Sequence, residues 1–423
     1  MSETSGVMEH VTCLGCGCAC DDIAVAVRDG YIVEARHACP LGAAWFGDGR
    51  VPAEARMDGA PCTMDAALDA AAATLTSARR ALVYLALDIS CETQRAAVAI
   101  ADVLQGCVDG VSSSTVAGGI LAAQRRGRVG ATLGEIRNRA DCIVFWGTDP
   151  ATRYPRYTSR YAPDPAGLFV PNGRRGRVVV AVDIGASRGP ADADTRLAIA
   201  ADVELDVIAA LRATLAGHSA AGGARDPRAA ELARVLAAAH YAVIVYDAEP
   251  GAAQPASPLG RSEALTALGQ QLNATIRAAI TPLRGGGNRL GAEAVLAWQT
   301  GFPMTVDFSR GYPRYRPDDN APDLVRSGAV DAVLVIGAAP AGDGALPAGD
   351  ARRIVIGPRA SSALPAPHIA IDTGVAGIHE SGLAFRMDDI PLALRAPLPG
   401  PPVAADVVRS LGARVRAQRT AHA

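Results

Sequence analysis

The feature that most constrains this chain is a cluster of cysteines near its start. It reads Cys13-Leu-Gly-Cys16-Gly-Cys18-Ala-Cys20, and a further cysteine follows at Cys39. Four of these fit the spacing C-x2-C-x3-C-x18-C, whereas Cys18 alternates with the others and should point away from a common centre. Closely spaced thiolates with a fourth from a distant loop are the ligands of a cubane iron–sulfur cluster. The spacing therefore predicts that Cys13, Cys16, Cys20 and Cys39 bind a [4Fe–4S] cluster. The alternatives are a structural zinc site and free or disulfide-bonded cysteines.

A β-hairpin is predicted between the third and fourth cysteines of this set. Asp21–Val27 alternates in the manner of a strand, Arg28–Gly30 is a turn, and Tyr31–Ala35 is the return strand. Such a hairpin would carry Cys39 back to the first three cysteines. We therefore predict a cysteine-rich hairpin domain over residues 1–56.

Strand-like apolar runs alternate with helical stretches along the rest of the chain. The runs are Ala81–Leu87, Asp141–Gly147, Arg177–Ile184, Tyr241–Asp247, Asp331–Gly337, Arg352–Gly357 and His368–Asp372. The helical stretches are Asp65–Ala78, Glu92–Leu104, Glu204–Ala216, Pro227–Ala239 and Glu263–Arg277. This alternation predicts an α/β fold with doubly wound parallel-sheet domains over residues 57–394. Residues 395–423 are predicted to form an extended proline-rich segment and a C-terminal tail.

Composition excludes several classes of function. The chain contains no lysine, so it has neither a P-loop lysine nor a Schiff-base lysine. Its formal net charge is −2, which implies no broad attraction to nucleic acid or to a membrane surface. No apolar run reaches membrane-spanning length. We therefore expect a cytoplasmic protein, where reduced cysteines and metal ligation are favoured over disulfides.

Two segments combine arginine with tyrosine. They are Arg153–Tyr161 and Phe308–Pro317. Arginine suits anionic groups and tyrosine packs against flat rings, so both segments are candidates for contact with an anionic cofactor or a partner. The alternative is packing between domains and subunits. His379 is a further candidate for cofactor contact, with a structural role as its alternative.

The chain resembles the B subunit of formylmethanofuran dehydrogenase over nearly its whole length. The strings that carry the resemblance are Cys13–Ile23, Gly119–Gln124, Ala131–Asp141, Phe145–Gly147, Pro155–Tyr157, Trp298–Pro303 and Val306–Tyr315. The resemblance implies an iron–sulfur hairpin followed by α/β domains of the molybdopterin oxidoreductase type.

One departure from that family concerns its metal ligand. The family has a Cys-His-Gly-Pro string in which the cysteine binds the metal and the histidine serves the chemistry. Here Thr115 occupies the place of the cysteine and Val116 that of the histidine. A neutral hydroxyl is a poor ligand for a soft metal site, and valine cannot transfer a proton. Thr115 therefore argues against a bound molybdopterin or tungstopterin.

With this change, the sequence pattern resembles that of the B subunit of the bacterial formyltransferase/hydrolase complex. That complex serves methylotrophs that oxidise formaldehyde to formate through tetrahydromethanopterin. The resemblance implies hydrolase (A), C and formyltransferase (D) subunits as partners. It also implies a redox-inactive structural subunit without catalytic residues of its own. The alternative is an active molybdenum- or tungsten-pterin subunit of a formylmethanofuran or formate dehydrogenase.

Overall fold

Two α/β units make up the part of the chain that the computed structural model describes, which is residues 6–218, 226–249, 255, 257–338 and 345–421. One unit contains Met1–Ser114 and Gly285–Ala423, and the other contains Thr115–Arg284. The first unit is therefore built from two distant parts of the chain, and the second unit is inserted between them.

The strands and helices follow one another in alternation. The strands are β1 (Gly6–Val11), β2 (Ile23–Arg28), β3 (Tyr31–Arg36), β4 (Ala55–Met57), β5 (Ala60–Pro61), β6 (Ala81–Leu85), β7 (Cys107–Gly110), β8 (Cys142–Trp146), β9 (Val178–Ile184), β10 (Thr195–Ile199), β11 (Tyr241–Asp247), β12 (Arg277–Leu283), β13 (Val306–Asp307), β14 (Arg314–Tyr315), β15 (Ala332–Ile336), β16 (Arg352–Gly357), β17 (Ile369–Asp372), β18 (Gly382–Phe385) and β19 (Pro391–Leu394). The helices are α1 (Pro40–Phe46), α2 (Met64–Ser77), α3 (Cys91–Leu104), α4 (Ser113–Arg126), α5 (Leu133–Arg139), α6 (Pro150–Arg153), α7 (Tyr157–Arg160), α8 (Glu204–Leu215), α9 (Pro227–Ala237), α10 (Pro258–Leu272), α11 (Arg289–Thr300), α12 (Ala321–Arg326) and α13 (Ala404–Ala421). The mixed α/β architecture with parallel sheets that the sequence predicts is confirmed.

A nine-stranded sheet organises the first unit. Its order is β14-β13-β7-β6-β15-β16-β17-β4-β5, and the five strands from β7 to β17 are parallel. Numbered along the chain, these five strands have the order 2-1-3-4-5 of doubly wound folds. The order reverses between β6 and β15. A ligand crevice is therefore expected outside the carboxyl ends of these two strands.

Helices cover both faces of this sheet because its central strands are apolar on both sides. Ala81, Val83 and Leu85 of β6 belong to one buried cluster, which includes residues of α2, α3, α11 and α13. Leu82 and Tyr84 belong to a second cluster with residues of α12 on the opposite face. Burial on both faces is typical of a parallel sheet inside an α/β domain.

The second unit contains a fully parallel five-stranded sheet. Its order is β10-β9-β8-β11-β12, which is 3-2-1-4-5 along the chain. The order reverses between β8 and β11, so a second crevice is expected at the carboxyl ends of those strands. Residues of α8, α9 and α10 form a buried cluster with the strands.

The N-terminal segment forms a three-stranded antiparallel sheet in the order β1-β2-β3. The predicted hairpin is present, since β2 pairs with β3 and the turn lies at Asp29 and Gly30. Both turn residues have positive φ, 51° and 80°, as a tight two-residue hairpin turn requires. Cys39 lies three residues after the end of the return strand.

Helix α13 forms most of the C-terminal tail. It contacts α2 and α3, and its apolar residues belong to the core on that face of the nine-stranded sheet. The predicted surface connection Leu215–Arg228 lies partly outside the described residues. None of the helices in the described ranges is both long and apolar enough to cross a membrane.

Candidate metal centre and cofactor crevices

The four predicted cysteine ligands come from two neighbouring segments of the first unit. Cys13, Cys16 and Cys20 lie in the loop between β1 and β2. The loop is closed by a hydrogen bond from the Cys13 backbone N–H to the Cys20 carbonyl, at 2.9 Å. Cys39 is the N-cap of α1, and its Sγ accepts from the Gly42 backbone N–H at 3.5 Å. The hairpin therefore brings the beginning of α1 to the cysteine loop.

Gly42 lies close to two of the thiols. A Cβ atom added at Gly42 would be 3.2 Å from the Cys13 Sγ and 3.9 Å from the Cys39 Sγ. The Cys13 Sγ also accepts from the Gly15 backbone N–H at 3.4 Å. Backbone N–H groups directed at cysteine sulfurs are among the contacts that tune iron–sulfur clusters.

The cysteine loop disfavours the ionised form of its four thiols when no cation is bound. Burial raises the pKa of the Cys13 thiol, and the nearby thiols of Cys16, Cys20 and Cys39 add to that rise. A metal bound to the sulfurs would reverse this balance, because ligating thiols are deprotonated by the positive charge. Within the described ranges, no three His, Cys, Asp or Glu side chains are grouped closely enough to hold one metal ion. In a cubane each thiolate binds a different iron, which separates the sulfurs more widely than around one ion.

A run of glycines packs directly against the cysteine loop. A Cβ at Gly286 would lie 2.3 Å from the Leu14 carbonyl oxygen and 2.7 Å from the Cys16 Cα. The Gly287 backbone N–H donates to the same Leu14 carbonyl at 2.8 Å. Only glycine allows this approach. The string Gly285-Gly286-Gly287 stands out in the sequence, but local patterns do not predict its role.

The same glycines join the cysteine loop to the crevice at β6 and β15. Asp88, which follows β6, donates its backbone N–H to the Gly287 carbonyl at 3.0 Å. Its Oδ1 accepts from the Trp45 indole N–H, also at 3.0 Å. Burial raises the pKa of Asp88, while Trp45, Arg359 and Arg289 lower it. The predicted metal centre therefore lies at the place where the strand order of the sheet reverses.

The crevice in the second unit is lined by residues from α4, α10 and the end of β11. It measures about 300 Å³, including space open to solvent. Its lining is Thr115, Val116, Gly119, Tyr246, Asp247, Ala248, Pro255, Pro258, Arg261 and Ser262. Threonine, serine and tyrosine supply hydroxyl groups, but none of these lining residues is a cysteine. The residues at this site therefore do not fit a molybdenum or tungsten ion that needs a protein thiolate.

Arginines around the carboxyl end of β11 are already paired with carboxylates. Arg153 bonds to Asp247, and Arg284 bonds to Glu249 at 2.6 Å. Burial raises the pKa of Asp247, and Arg153 opposes that rise. Since their charges are compensated within the unit, these arginines offer little to the pyrophosphate of a dinucleotide cofactor.

Segment Arg153–Tyr161 packs inside the second unit. Tyr154, Tyr157 and Tyr161 are at most 4% exposed. The Tyr157 ring meets Phe145 edge to face, with the centroids 6.4 Å apart. The tyrosines of this segment therefore serve packing within their unit.

Segment Phe308–Pro317 is divided between core and surface. Phe308 is buried, whereas Tyr312 is 53% exposed. Arg314 bonds to the buried carboxylate of Asp307 at 2.5 Å. The exposed residues of this segment, which are 309–312 and Arg316, therefore remain available to a partner.

His379 is a buried residue with both ring nitrogens hydrogen-bonded. Its Nδ1 accepts from the Val375 backbone N–H at 3.1 Å, so the proton is on Nε2, which donates to the Gly49 carbonyl at 2.7 Å. Burial lowers the pKa of His379, although the Gly49 contact opposes this. Both contacts join parts of the backbone, so they give this side chain a structural role.

This geometry predicts a pH dependence of stability. A histidine with a lowered pKa in the folded state contributes stability that is full at high pH and is lost as pH falls below its unfolded value. Protonation would also place two donors, Nδ1–H and the Val375 N–H, against each other. From about pH 7.5 to about pH 5, the free energy of unfolding should fall more steeply for the wild type than for His379→Gln. Denaturant titrations at several pH values measure this, with His218→Gln at an exposed position expected to keep the wild-type slope. Equal slopes for the wild type and His379→Gln would contradict the assignment.

Known proteins similar to this chain include two archaeal subunits and one bacterial subunit. The chain is 31% identical over 407 residues to the B subunit of the tungsten-containing formylmethanofuran dehydrogenase 2 of Methanocaldococcus jannaschii, covering 92% of this chain and 93% of that protein. It is 29% identical over 418 residues to the corresponding protein of Methanococcus maripaludis, covering 93% and 95%. It is 31% identical over 289 residues to the B subunit of the formyltransferase/hydrolase complex Fhc of Methylorubrum extorquens, covering 67% and 74%.

A solved structure gives the same relationship. The chain is similar to one in the crystal structure of the formyltransferase/hydrolase complex FhcABCD from Methylorubrum extorquens with methylofuran. The TM-score is 0.72 and the identity 27%, over 86% of this chain and 99% of that one. No family model matches the chain. Identity above 30% across nearly its full length is decisive, and the chain belongs to the family of formylmethanofuran dehydrogenase B subunits, which includes the B subunit of the formyltransferase/hydrolase complex.

Proposed function

We propose that this chain is the B subunit of a formyltransferase/hydrolase complex in tetrahydromethanopterin-linked C1 metabolism, and that it has lost redox chemistry. The proposal is carried by Thr115 and Val116, which stand where the resemblance to the dehydrogenases implies a metal-binding cysteine and a histidine. The similarity to the solved FhcABCD complex supports it independently. Hydrolase (A), C and formyltransferase (D) subunits would be its partners in the cytoplasm, and they would produce formate.

The chemistry of residue 115 explains the loss. A thiolate binds a soft metal strongly, whereas a threonine hydroxyl is neutral at physiological pH and binds it weakly. Val116 is buried and offers no proton-transfer group. With a crevice lined by hydroxyls and with arginines already paired to carboxylates, this unit is suited to structural support.

We further propose that Cys13, Cys16, Cys20 and Cys39 bind one [4Fe–4S] cluster as a structural element. The first 56 residues would then be an iron–sulfur hairpin domain. The strand orders 2-1-3-4-5 and 3-2-1-4-5 support the proposal that two α/β domains of the molybdopterin oxidoreductase type follow it along the chain. When bound, the cluster would cross-link the loop before β2 to the start of α1.

The assembled complex is expected to show no oxidation of formate or of a formylated furan carrier with viologen as electron acceptor. Changing Thr115 to alanine should leave formyl transfer and hydrolysis within about twofold of the wild type, because these reactions would occur on other subunits. Steady-state assays of the purified four-subunit complex measure both activities. Changing Thr115 to cysteine should not create viologen-linked turnover, since Val116 still offers no proton-transfer group.

Two outcomes would overturn the proposal. One is viologen-linked turnover by a wild-type complex that contains tungsten or molybdenum. The other is loss of formyl transfer in a Thr115→Ala complex that remains fully assembled, because the former metal position would then take part in the reaction.

A dehydrogenase subunit is the second candidate. The retained cysteines favour it, and so does the fact that the Methanocaldococcus jannaschii relative matches 92% of the chain, against 67% for the Methylorubrum extorquens relative. Metal, sulfide and pterin analysis of the complex purified without air separates the two. Stoichiometric pterin with tungsten or molybdenum supports the dehydrogenase, whereas iron and sulfide without pterin support the structural role.

A further inference from the structure

Leu168 and Phe169 form the tip of a tight turn on the second unit. The turn is closed by two backbone hydrogen bonds between Gly167 and Val170, at 3.0 and 3.2 Å. Val170 is buried, but Leu168 is 77% exposed and Phe169 is 61% exposed. The central positions of exposed turns usually hold Gly, Asn, Asp, Ser or Pro. Two large apolar side chains at this tip therefore require an explanation.

A buried arginine holds the residues that flank the turn by hydrogen bonds. Arg177 is 4% exposed, and four backbone carbonyls accept from its guanidinium. The acceptors are the carbonyls of Ala140, Pro163, Pro165 and Arg137, at 3.0, 2.6, 2.6 and 2.6 Å. Burial lowers the pKa of Arg177, which the charge of Asp164 opposes. Burying a cation without a carboxylate partner costs free energy unless the carbonyls around it are well placed. The four hydrogen bonds from Arg177 therefore hold the loop in one conformation and offset part of that cost.

Asn138 of α5 provides a second set of contacts, through its side chain and its backbone carbonyl. Asn138 Oδ1 accepts from the Leu168 N–H at 3.2 Å, and the Asn138 carbonyl accepts from the Phe169 N–H at 2.8 Å. A Cβ at Gly167 would lie 2.0 Å from the Arg137 carbonyl oxygen. The apolar tip is thus ordered before any partner binds. A backbone that is already ordered loses less conformational entropy on association.

The surroundings of the tip are positively charged. The Arg139 guanidinium lies over the Phe169 ring, 4.7 Å from its centroid. Arg137 is also exposed, and its Nε donates to the Ala166 carbonyl at 3.4 Å. Neither arginine forms an ion pair with any residue that the structure describes. Their charges remain available to carboxylates on another molecule.

We propose that the Leu168–Phe169 turn is a docking element that inserts into an apolar pocket rimmed by carboxylates on a neighbouring protein of the complex. The inference rests on the proposed function, which supplies such neighbours. A rigid aromatic anchor beside arginine has the composition of a binding hot spot. A membrane surface is a poorer match, because membrane-binding elements present a broad apolar face.

The experiment uses the four subunits co-expressed with a tag on this chain. Changing Leu168 and Phe169 together to serine should raise the dissociation constant of this chain for the co-expressed A, C and D subunits about 30-fold or more. This corresponds to a loss of about 2 kcal/mol of binding free energy. The free chain should keep its thermal midpoint, because both side chains are exposed. Changing Leu364 to serine is the matched control, since Leu364 is 87% exposed and lies in the other unit. Its complex should have the wild-type dissociation constant. Arg139→Glu should weaken association most at low ionic strength.

The outcomes distinguish this inference from the proposed function. Assembly of the wild type, with weakened assembly of the double variant alone, supports both. Equal dissociation constants for the wild type and the double variant overturn the docking element and leave the proposed function intact. Failure of the wild type to assemble overturns both. Flotation of the chain with phosphatidylglycerol vesicles that depends on Phe169, with the affinity for the neighbouring protein unchanged, would identify the turn as a membrane contact and overturn the inference.

Discussion

Replacing Asp109 by alanine is expected to lower the free energy of unfolding by about 4 kcal/mol. Asp109 is 1% exposed at the end of β7, and its carboxylate accepts four hydrogen bonds. Oδ1 accepts from the Gly110 and Thr305 backbone N–H groups at 2.9 and 3.1 Å. Oδ2 accepts from the Ser113 hydroxyl and the Ala321 backbone N–H at 2.6 and 2.8 Å. The side chain therefore joins strand β7, the residues before β13 and the first residues of α4 and α12.

The size of the effect follows from the donors that alanine would leave behind. Each buried donor without an acceptor costs about 1–3 kcal/mol, and partial relaxation keeps the total below the sum. Burial already raises the pKa of Asp109 to about 6, against the hydrogen bonds that lower it. Denaturant unfolding measures the change. Asp102→Ala is the matched control because Asp102 is exposed on α3, and it should stay within about 0.5 kcal/mol of the wild type. An equally small change for Asp109→Ala would contradict the structural role.

The sequence identified the central strands because they are apolar on both faces. Tyr241–Asp247 and Arg352–Gly357 were predicted to the residue, and the other five predicted runs contain the observed strands. A strand buried on both faces appears in the sequence as a short, nearly continuous run of apolar and β-branched residues, so it can be recognised from local sequence alone. The α/β class of the fold followed from these local patterns.

Strands with weaker local patterns were missed. β7 has four residues and ends in glycine, and β10 lies at the sheet edge, where its polar residues are tolerated. The helix predicted over Glu263–Arg277 was placed five residues too late along the chain, because α10 begins at Pro258 and ends at Leu272, and β12 begins at Arg277. Asn273 accounts for this ending. Its side-chain amide bonds to the carbonyls of Gly269 and Ala278 and so joins the end of the helix to the strand.

Contacts between distant parts of the chain could not be read from local patterns. The first unit combines residues before 115 with residues after 284. No local pattern in the sequence between them indicates that the chain goes back to the first unit. The role of Gly286 depends on its approach to Leu14, and that of Asp109 on donors near residues 305 and 321. The cysteine spacing was readable because all four residues lie within one short segment.

Changing Cys13 to serine is expected to remove the iron that the wild type binds. Protein purified without air should contain about four irons per chain and show broad visible absorbance. Cys13 is buried, and both its sulfur and that of Cys39 lie close to Gly42. A serine hydroxyl there would remain neutral and would be a poor replacement for a thiolate ligand. The iron and sulfide content of the variant should therefore fall close to zero.

The sharpest control for this prediction is the neighbouring cysteine. Cys18 is fully buried in the same loop but lies outside the predicted ligand set, so Cys18→Ser should keep its iron while losing some stability. Stoichiometric zinc in the wild type would contradict the cluster and make the cysteines a structural zinc site. Loss of iron in Cys18→Ser with retention in Cys13→Ser would mean that the ligand set is wrong. If Cys13→Ser loses both its iron and the folding of the N-terminal sheet while formyl transfer by the assembled complex persists, the cluster contributes to structure alone. A chain without redox chemistry would then still need its cysteines, because a bound cluster fixes a loop whose thiols repel one another when ionised.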